Sequence, residues 1–326
     1  MKVFLTGATG FVGSHILDSL RQRGVAVRIL VRPTSDDRFI RPHLHQIELQ
    51  AGSIADPASL RRALDGVTHV IHCAGATKAL STEEFFQVNQ AGTRNLVEAV
   101  NQHGSIERLV HISSLAAAGP AALDRPRRES DPLAPVSIYG QSKLAGEQEV
   151  SGKCQADFVI LRPPAVYGVR DFEFLRLFKA IKAHVRPTFG GGGQQLSFVY
   201  VKDLAEAAVH ALTHPALARQ CCFVAAREVV TARQFGLEIA SHLSARTVPL
   251  PLPHALLWLL CAGQEVFSRI SRRPSVLSLQ KYAELKAPAW TCDPSKLEAA
   301  SGFVCRTTIY EGVPRALDWY RQSGLL

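Results

Sequence analysis

At 326 residues, 47% of them hydrophobic and 20% charged, the chain can bury one large core, or a core and a smaller lobe, and it carries no repetitive or disorder-like tract. The formal net charge of +9 does not by itself signal nucleic acid, because basic residues are not interleaved with aromatics and no reading helix stands out. A positive surface suits an anionic cofactor equally well.

The elements follow in a regular order. "KVFL" is a short apolar run of the buried-strand kind, and from Phe11 to Arg23 the residues Val12, Ile16, Leu17 and Leu20 share one face of a helix stopped by Gly24. Val25–Val31 is the next strand, ended by Pro33. There follow "QIEL", a helix opened by Asp56-Pro57, the strand His69–His72, and a long helix with a capping box from Ser81 to Glu84. Arg108–Ile112 and Phe158–Arg162 are two further strands. Strands alternating with helices predict a doubly wound α/β fold around a parallel sheet. Beyond Arg162 prolines and glycines multiply, as in "RPTFGGGGQQ" and "VPLPLPH". "LSFVYV" with "KDLAEAAVHAL" reads as one more strand–helix unit returning to the sheet, and the rest as a mostly helical lobe.

Several chemistries find no support. Cys73, Cys154, Cys221, Cys222, Cys261, Cys292 and Cys305 are scattered and form no C-x-x-C pair, so neither zinc nor a disulfide framework is expected and a reducing cytoplasm fits. His69 and His72 lie on a buried strand without a third ligand nearby, so no metal site is expected, and His43 and His45 read as solvated. The basic cluster Arg125–Arg128, with Glu129 and Asp131 beside it, reads as a solvated loop. The start lacks a signal-peptide core, and the apolar stretch Ala255–Gly263 is about half the length of a membrane span, so no span is expected.

"TGATGFVGSH", from Thr6, joins the first strand to the first helix with glycines at Gly7, Gly10 and Gly13. That is where an open parallel sheet binds phosphates: the helix N-terminus offers free N–H groups and a positive dipole end, and glycines admit a pyrophosphate to the backbone. The spacing is G-x-x-G-x-x-G rather than the G-x-G-x-x-G of many dinucleotide dehydrogenases. The expected division is a Rossmann-type nucleotide-binding domain over 1–167, with 197–215 returning to it, and a substrate lobe over 168–196 and 216–326.

With this turn, "HCAGA" at His72–Ala76, Asn89 in the next helix, "HISS" at His111–Ser114 and "YGQSK" at Tyr139–Lys143 stand in order along the chain. "LRPPAVYG" (Leu161–Gly168) and "FVYVKDLAEA" (Phe198–Ala207) come after them. Together they resemble the extended short-chain dehydrogenases/reductases, the NAD-dependent epimerase/dehydratase group, over nearly the whole length. The resemblance implies catalytic roles for Ser114, Tyr139, Lys143 and Asn89. It implies cofactor contacts from Gly7, Thr9, Gly10, Phe11, Val12, Gly13, Arg32, Ser53, Ile54, Ala74, Gly75, Pro163 and Val166 as well as Tyr139 and Lys143. Ser53-Ile54 stands where the family often has Asp-Ile beside the adenine. Ser114 lies five residues before Gly119, as the family's catalytic serine does before its glycine; Ser113 is its competitor.

Y-x-x-x-K alone is a weak signal, since Tyr282 and Lys286 share the spacing and read as an ordinary helical pair. Tyr139 differs because its helix opens soon after a strand ending in Ser113-Ser114, where strand ends gather round a ligand crevice. In such a site the nicotinamide moves the hydride and the protein manages one proton. A tyrosine near pKa 10 is a poor base, and a nearby ammonium is expected to lower it. Ser114 would bond the substrate oxygen.

NAD-preferring enzymes place a carboxylate at the end of the second strand, whereas this chain has "RILVRPTS" there and no acid before Asp36. An arginine can bond a 2′-phosphate, so NADP is favoured over NAD, with Arg32 as discriminator, Ser35 as helper and Arg28 a weaker candidate. Nucleotide-sugar epimerases of the family commonly carry an asparagine where this chain has Pro163-Pro164-Ala165, and an arginine where it has Gln194-Gln195-Leu196-Ser197. "PLPLPHALLWLLCAG" offers leucines and Trp258, either to line an apolar pocket or to pack the lobe's own core. The expected reaction is hydride transfer to or from a secondary alcohol or ketone of a largely apolar small molecule. Nucleotide-sugar epimerisation or dehydration is the alternative, and a non-catalytic dinucleotide-binding protein the third reading. A homodimer is the family's habit.

Overall fold

The computed structural model describes residues 1–189, 192–271 and 279–326, so Gly190 and Gly191 of the glycine run lie outside the described residues. The strands β1 (Lys2–Thr6), β2 (Ala26–Val31), β3 (Glu48–Ala51), β4 (His69–His72), β5 (Arg108–Ile112) and β6 (Asp157–Arg162) all lie in one parallel sheet. Successive residues on each strand serve opposite faces. Leu5, Ile71 and Val110 pack on Ile16, Leu17 and Leu20 of the Phe11–Gln22 helix. Phe4, Val70 and Leu109 pack on Leu60, Leu64, Leu96 and Val100 from the opposite side. Being covered on both faces is why β1, β4, β5 and β6 are buried along nearly their whole length rather than alternating, and each large side chain so buried stabilises the fold by roughly 1.5–3 kcal/mol.

Beyond β6 come β7 (Ala165–Tyr167), β8 (Val185–Phe189), β9 (Gln195–Tyr200), β10 (Gln220–Phe223), β11 (Val229–Thr231), β12 (Val248–Leu252) and β13 (Ala289–Trp290). The main sheet runs β10-β6-β5-β4-β1-β2-β3. Its edge strand, β10, belongs to the range expected to form the lobe. Gln-Cys-Cys-Phe is four residues without a β-branched side chain, so it carries no strand pattern. Conversely β9, expected in the main sheet, pairs instead with β7, β11 and β13. The reason is its aromatic face: Phe198 stacks on Phe235 at 4.4 Å, and Tyr167 meets both edge-on at 5.7 Å, forming a second core with Phe178 and Tyr320. The helix after β9, Val201–His210, does return, setting Leu204 and Ala208 into the core shared with the Phe11–Gln22 helix.

Candidate active site

In a parallel sheet every strand ends at the same edge, so the loops after β1 to β6 converge. They carry, in turn, the glycine turn, Arg32, Ser53-Ile54, Ala74-Gly75, Ser114 and Pro163. Every one of these sequence-predicted residues therefore comes to one rim.

The glycine turn is built tightly. Gly7 takes a left-handed φ of +77°, and a Cβ on Gly13 would stand 2.0 Å from the Gly7 carbonyl oxygen. Gly10 donates its N–H to Gly7 O at 3.0 Å and begins the Phe11–Gln22 helix without a side-chain cap. The first N–H groups of a twelve-residue helix thus face the rim, and no carboxylate occupies its first turn. A bare cradle at the positive end of a helix fits a dinucleotide pyrophosphate. Thr9, Phe11 and Val12 lie half-buried beside it.

Tyr139 and Lys143 sit on the Ile138–Lys153 helix, whose N-cap Ser137 accepts the Gly140 N–H at 3.1 Å. The Lys143 ammonium donates to Ile112 O at 2.7 Å. A Cβ on Gly75 would stand 3.7 Å from its Nζ, so the lysine lines the loop after β4. Burial pulls Lys143 from its ordinary 10.5 down to about 8. Tyr139 moves opposite to expectation. Burial pushes its phenol up to about 12, the neighbouring Ser114 hydroxyl works against that rise, and the carboxylates of Glu284 and Glu173 add to it. Desolvation outweighs the Ser114 hydrogen bond, and the phenol is held protonated.

Ser113 and Ser114 are separated by the strand's alternation. Ser113 is buried on the helix-facing side and donates to Glu147, which also holds Arg162 in a two-point pair at 2.9 and 2.6 Å. Ser114 opens the short helix Leu115–Ala118, accepting Ala116 N–H at 3.1 Å, on the Tyr139 side. The geometry therefore favours Ser114 as the serine facing the rim. The Glu147–Arg162–Ser113 cluster escaped the sequence reading, although Glu147 lies one turn beyond Lys143 on the same helix.

Asn89 is buried, not on a helix surface. Its Oδ1 accepts Ala76 N–H at 2.8 Å, while Nδ2 donates to Ala76 O at 3.0 Å and to Ser142 Oγ at 2.9 Å. The long helix contains a π-helical turn, Gln87–Ala91, which re-aims Asn89; no residue pattern signalled it. Its Ser81 cap accepts Glu84 N–H as expected, but Glu84 reaches the N–H of Leu80 instead of closing the box. Behind Asn89 runs a directed chain of bonds. Ala74 N–H donates to Thr6, Thr6 to His72 Nδ1 at 2.7 Å, His72 Nε2–H to Thr93 at 3.0 Å, and Thr93 to Asn89 O at 2.7 Å. The chain needs a neutral His72, and burial lowers its pKa to about 3.

At the outer rim, Arg32 is exposed, and its backbone closes a turn with Ser35, whose Oγ accepts the Arg32 N–H at 3.1 Å. Arg28 points away, tied to Glu48 and to the carbonyls of Ala63 and Asp65 at 2.8 Å. The Ser53 hydroxyl accepts the Ala55 N–H at 3.2 Å, and Ile54 packs against Gly92. Pro163 O accepts Leu115 N–H at 2.8 Å, and Val166 packs on the main core.

Other expectations are modified. Arg127, assigned to a solvated loop, is half-buried and donates to the carbonyls of Ala118 and Pro132. Trp258 and most of its neighbouring leucines do not fill a core: on the His254–Ser271 helix Leu257 and Cys261 are buried, and Leu256, Trp258, Leu259 and Leu260 are exposed. Tyr282 and Lys286 lie on the helix Leu279–Lys286, outside the helix that carries Tyr139.

The sequence profile of the NAD dependent epimerase/dehydratase family matches residues 3–221. A ceramide reductase of Caulobacter vibrioides is 32% identical over 99% of this chain and 96% of that protein. A UDP-glucose 4-epimerase of Vibrio cholerae is 29% identical over 77% of this chain and 79% of that protein. The crystal structure of the Thermus thermophilus UDP-glucose 4-epimerase in complex with NAD superposes with a TM-score of 0.78 at 26% identity, covering 98% of this chain and 99% of that one. With its loops gathered at the carboxyl edge of a parallel sheet and these matches along its length, the protein is an enzyme of the NAD-dependent epimerase/dehydratase family, the extended short-chain dehydrogenases/reductases.

Proposed function

We propose that the protein transfers hydride between a nicotinamide cofactor and a secondary alcohol or ketone on a largely apolar small molecule, with Ser114, Tyr139, Lys143 and Asn89 as its machinery. The observation that carries this reading is the Tyr139 phenol, held protonated one helical turn from Lys143 and beside Ser114. A protonated phenol is the form required to give a proton to a carbonyl oxygen as it is reduced. Ser114 donates to the same oxygen and stabilises the negative charge that develops there. The bound nicotinamide supplies or accepts the hydride. Lys143, fixed by Ile112 O, faces the loop after β4 and holds the nucleotide ribose, and Asn89 braces that loop through Ala76.

NADP is the preferred cofactor in this reading, because Arg32 makes no side-chain bond among the described residues and is free for a 2′-phosphate, whereas Arg28 is engaged. The apolar substrate is supported by two facts. Where a diphosphate-gripping arginine would stand, Gln194 donates to Ala287 O at 2.7 Å and Gln195 to Asp124 at 2.7 Å, so both are committed to internal bonds. One relative aligned over 99% of this chain is named a ceramide reductase, and ceramide is an amphiphile. The second reading, epimerisation of a nucleotide sugar, is favoured by the likeness to UDP-glucose 4-epimerases. Incubation with NADPH or NADP⁺ and two panels, apolar ketones and alcohols against nucleotide sugars, separates them. Net change in reduced-nicotinamide absorbance supports the oxidoreductase, and sugar isomerisation without it supports the epimerase.

A further inference from the structure

The His254–Ser271 helix turns only part of its apolar surface inward. Leu257 and Cys261, four residues apart, are 1% and 0% exposed, while Leu256, Trp258, Leu259, Leu260 and Phe267 are 44%, 47%, 59%, 42% and 63% exposed. The strand that leads straight into the helix adds Val248 and Leu250, 70% and 49% exposed, with Val185 beside Val248 on β8. Single exposed leucines are ordinary, but this many in one run of chain mark a surface built for an apolar partner.

We infer that this helix, with β12, lies on the surface of an anionic lipid bilayer and there opens the catalytic cleft to membrane-borne amphiphiles. No helix among the described residues is long and apolar enough to cross a membrane, which leaves lying on it as the available mode. Charge selects the partner. Between residues 254 and 286 the sequence has Arg269, Arg272, Arg273, Lys281 and Lys286 against Glu265 and Glu284. Glu265 accepts the Leu279 N–H at 3.1 Å, and Glu284 accepts from Ser137 and pairs with Lys281. In sequence this Trp- and Leu-rich stretch is thus net basic, which matches the boundary of acidic headgroups and acyl chains. The surface is also joined to the chemistry. The His254–Ser271 helix packs on Leu279–Lys286, whose Glu284 bonds the cap of the Tyr139 helix. An amphiphile with its tails in the bilayer would therefore present its polar end towards Tyr139. The attachment itself is independent of which reaction the site performs, and its test needs no substrate.

The test is sedimentation of the full chain with vesicles of phosphatidylcholine alone or mixed with phosphatidylglycerol. Binding to the mixed vesicles is expected to be about tenfold tighter or more, and to weaken with salt. Leu259→Glu with Phe267→Glu should lower it by about tenfold or more, leaving the melting temperature within about 2 °C, since both side chains are exposed. Acyl-chain-brominated lipid should quench wild-type tryptophan fluorescence, and quench Trp258→Phe markedly less. Absence of binding to the mixed vesicles, or binding unaffected by the paired substitution, overturns the inference. So does a wild-type dimer that the paired substitution makes monomeric while neither form binds vesicles, because the face would then join two copies of the chain.

Discussion

The Ser137 hydroxyl donates to Glu284 Oε1 at 2.6 Å while accepting the Gly140 N–H at 3.1 Å, so one side chain both caps the Tyr139 helix and fastens it to the lobe. Glu284 is also one of the carboxylates that keep the Tyr139 phenol protonated. Glu284→Gln retains an acceptor for Ser137 but removes the charge, so the alkaline limb of the reductive pH–rate profile should move to lower pH. Glu284→Ala loses the acceptor as well and should destabilise by about 1 kcal/mol in urea melts. An unchanged profile in the glutamine variant would show that this carboxylate does not act on the phenol.

Two tyrosines in the same Y-x-x-x-K spacing provide a matched pair. Tyr139→Phe should leave cofactor affinity nearly intact and cut turnover by about a hundredfold or more, since it deletes the proposed proton donor. Tyr282→Phe, on the Leu279–Lys286 helix, should do neither. Equal losses in the two variants would refute the assignment.

Arg32→Ala should weaken NADP⁺ binding about tenfold or more and leave NAD⁺ binding almost unaltered, because in the proposed reading the guanidinium would meet only the 2′-phosphate. Fluorescence titration with both cofactors reads this directly. An undiminished preference would place the 2′-phosphate contact elsewhere.

Lys143 makes stability depend on pH in a defined direction. Its pKa falls from 10.5 to about 8 on burial, so below pH 8 folding carries the cost of an enclosed ammonium, on the order of 3 kcal/mol. Between pH 8 and 10.5 the folded state loses this proton before the unfolded state does, and stability rises with pH relative to a chain lacking the group. Without added nucleotide, Lys143→Met should therefore gain stability over wild type at neutral pH, and the difference should shrink towards pH 10.5. Urea midpoints that keep a constant separation across that range would contradict the placement of this charge.

Much of the first half is legible because each element carries a local physical signal. Asp56-Pro57 opens its helix, with Asp56 accepting the Ala58 N–H at 3.0 Å, and Gly24 adopts the left-handed φ of +68° that ends the first one. The candidate site residues stand at fixed offsets from strand ends, which is why the sequence alone could place them on one rim. What escaped depends on contacts distant in sequence. Nothing in "VNQAG" announces a π-helical turn, and "QCCF" becomes a strand only because β6 offers it an open edge. The rise in the Tyr139 pKa follows first from burial, with Glu284 and Glu173 adding to it, neither adjacent to it in the chain. The outward turn of Leu256, Leu259 and Leu260 is hidden because hydrophobicity alone does not say which side is covered.

Strand β9 gives its residues alternately to two bodies. Val199 belongs to the core beneath the main sheet, while Phe198 and Tyr200, its immediate neighbours, belong to the aromatic core of the lobe. A wall shared in this way cannot be loosened on one side alone, since withdrawing the strand opens both interiors at once. Three consecutive residues of one short strand thus tie the two interiors together, and a displacement of β9 is felt in both.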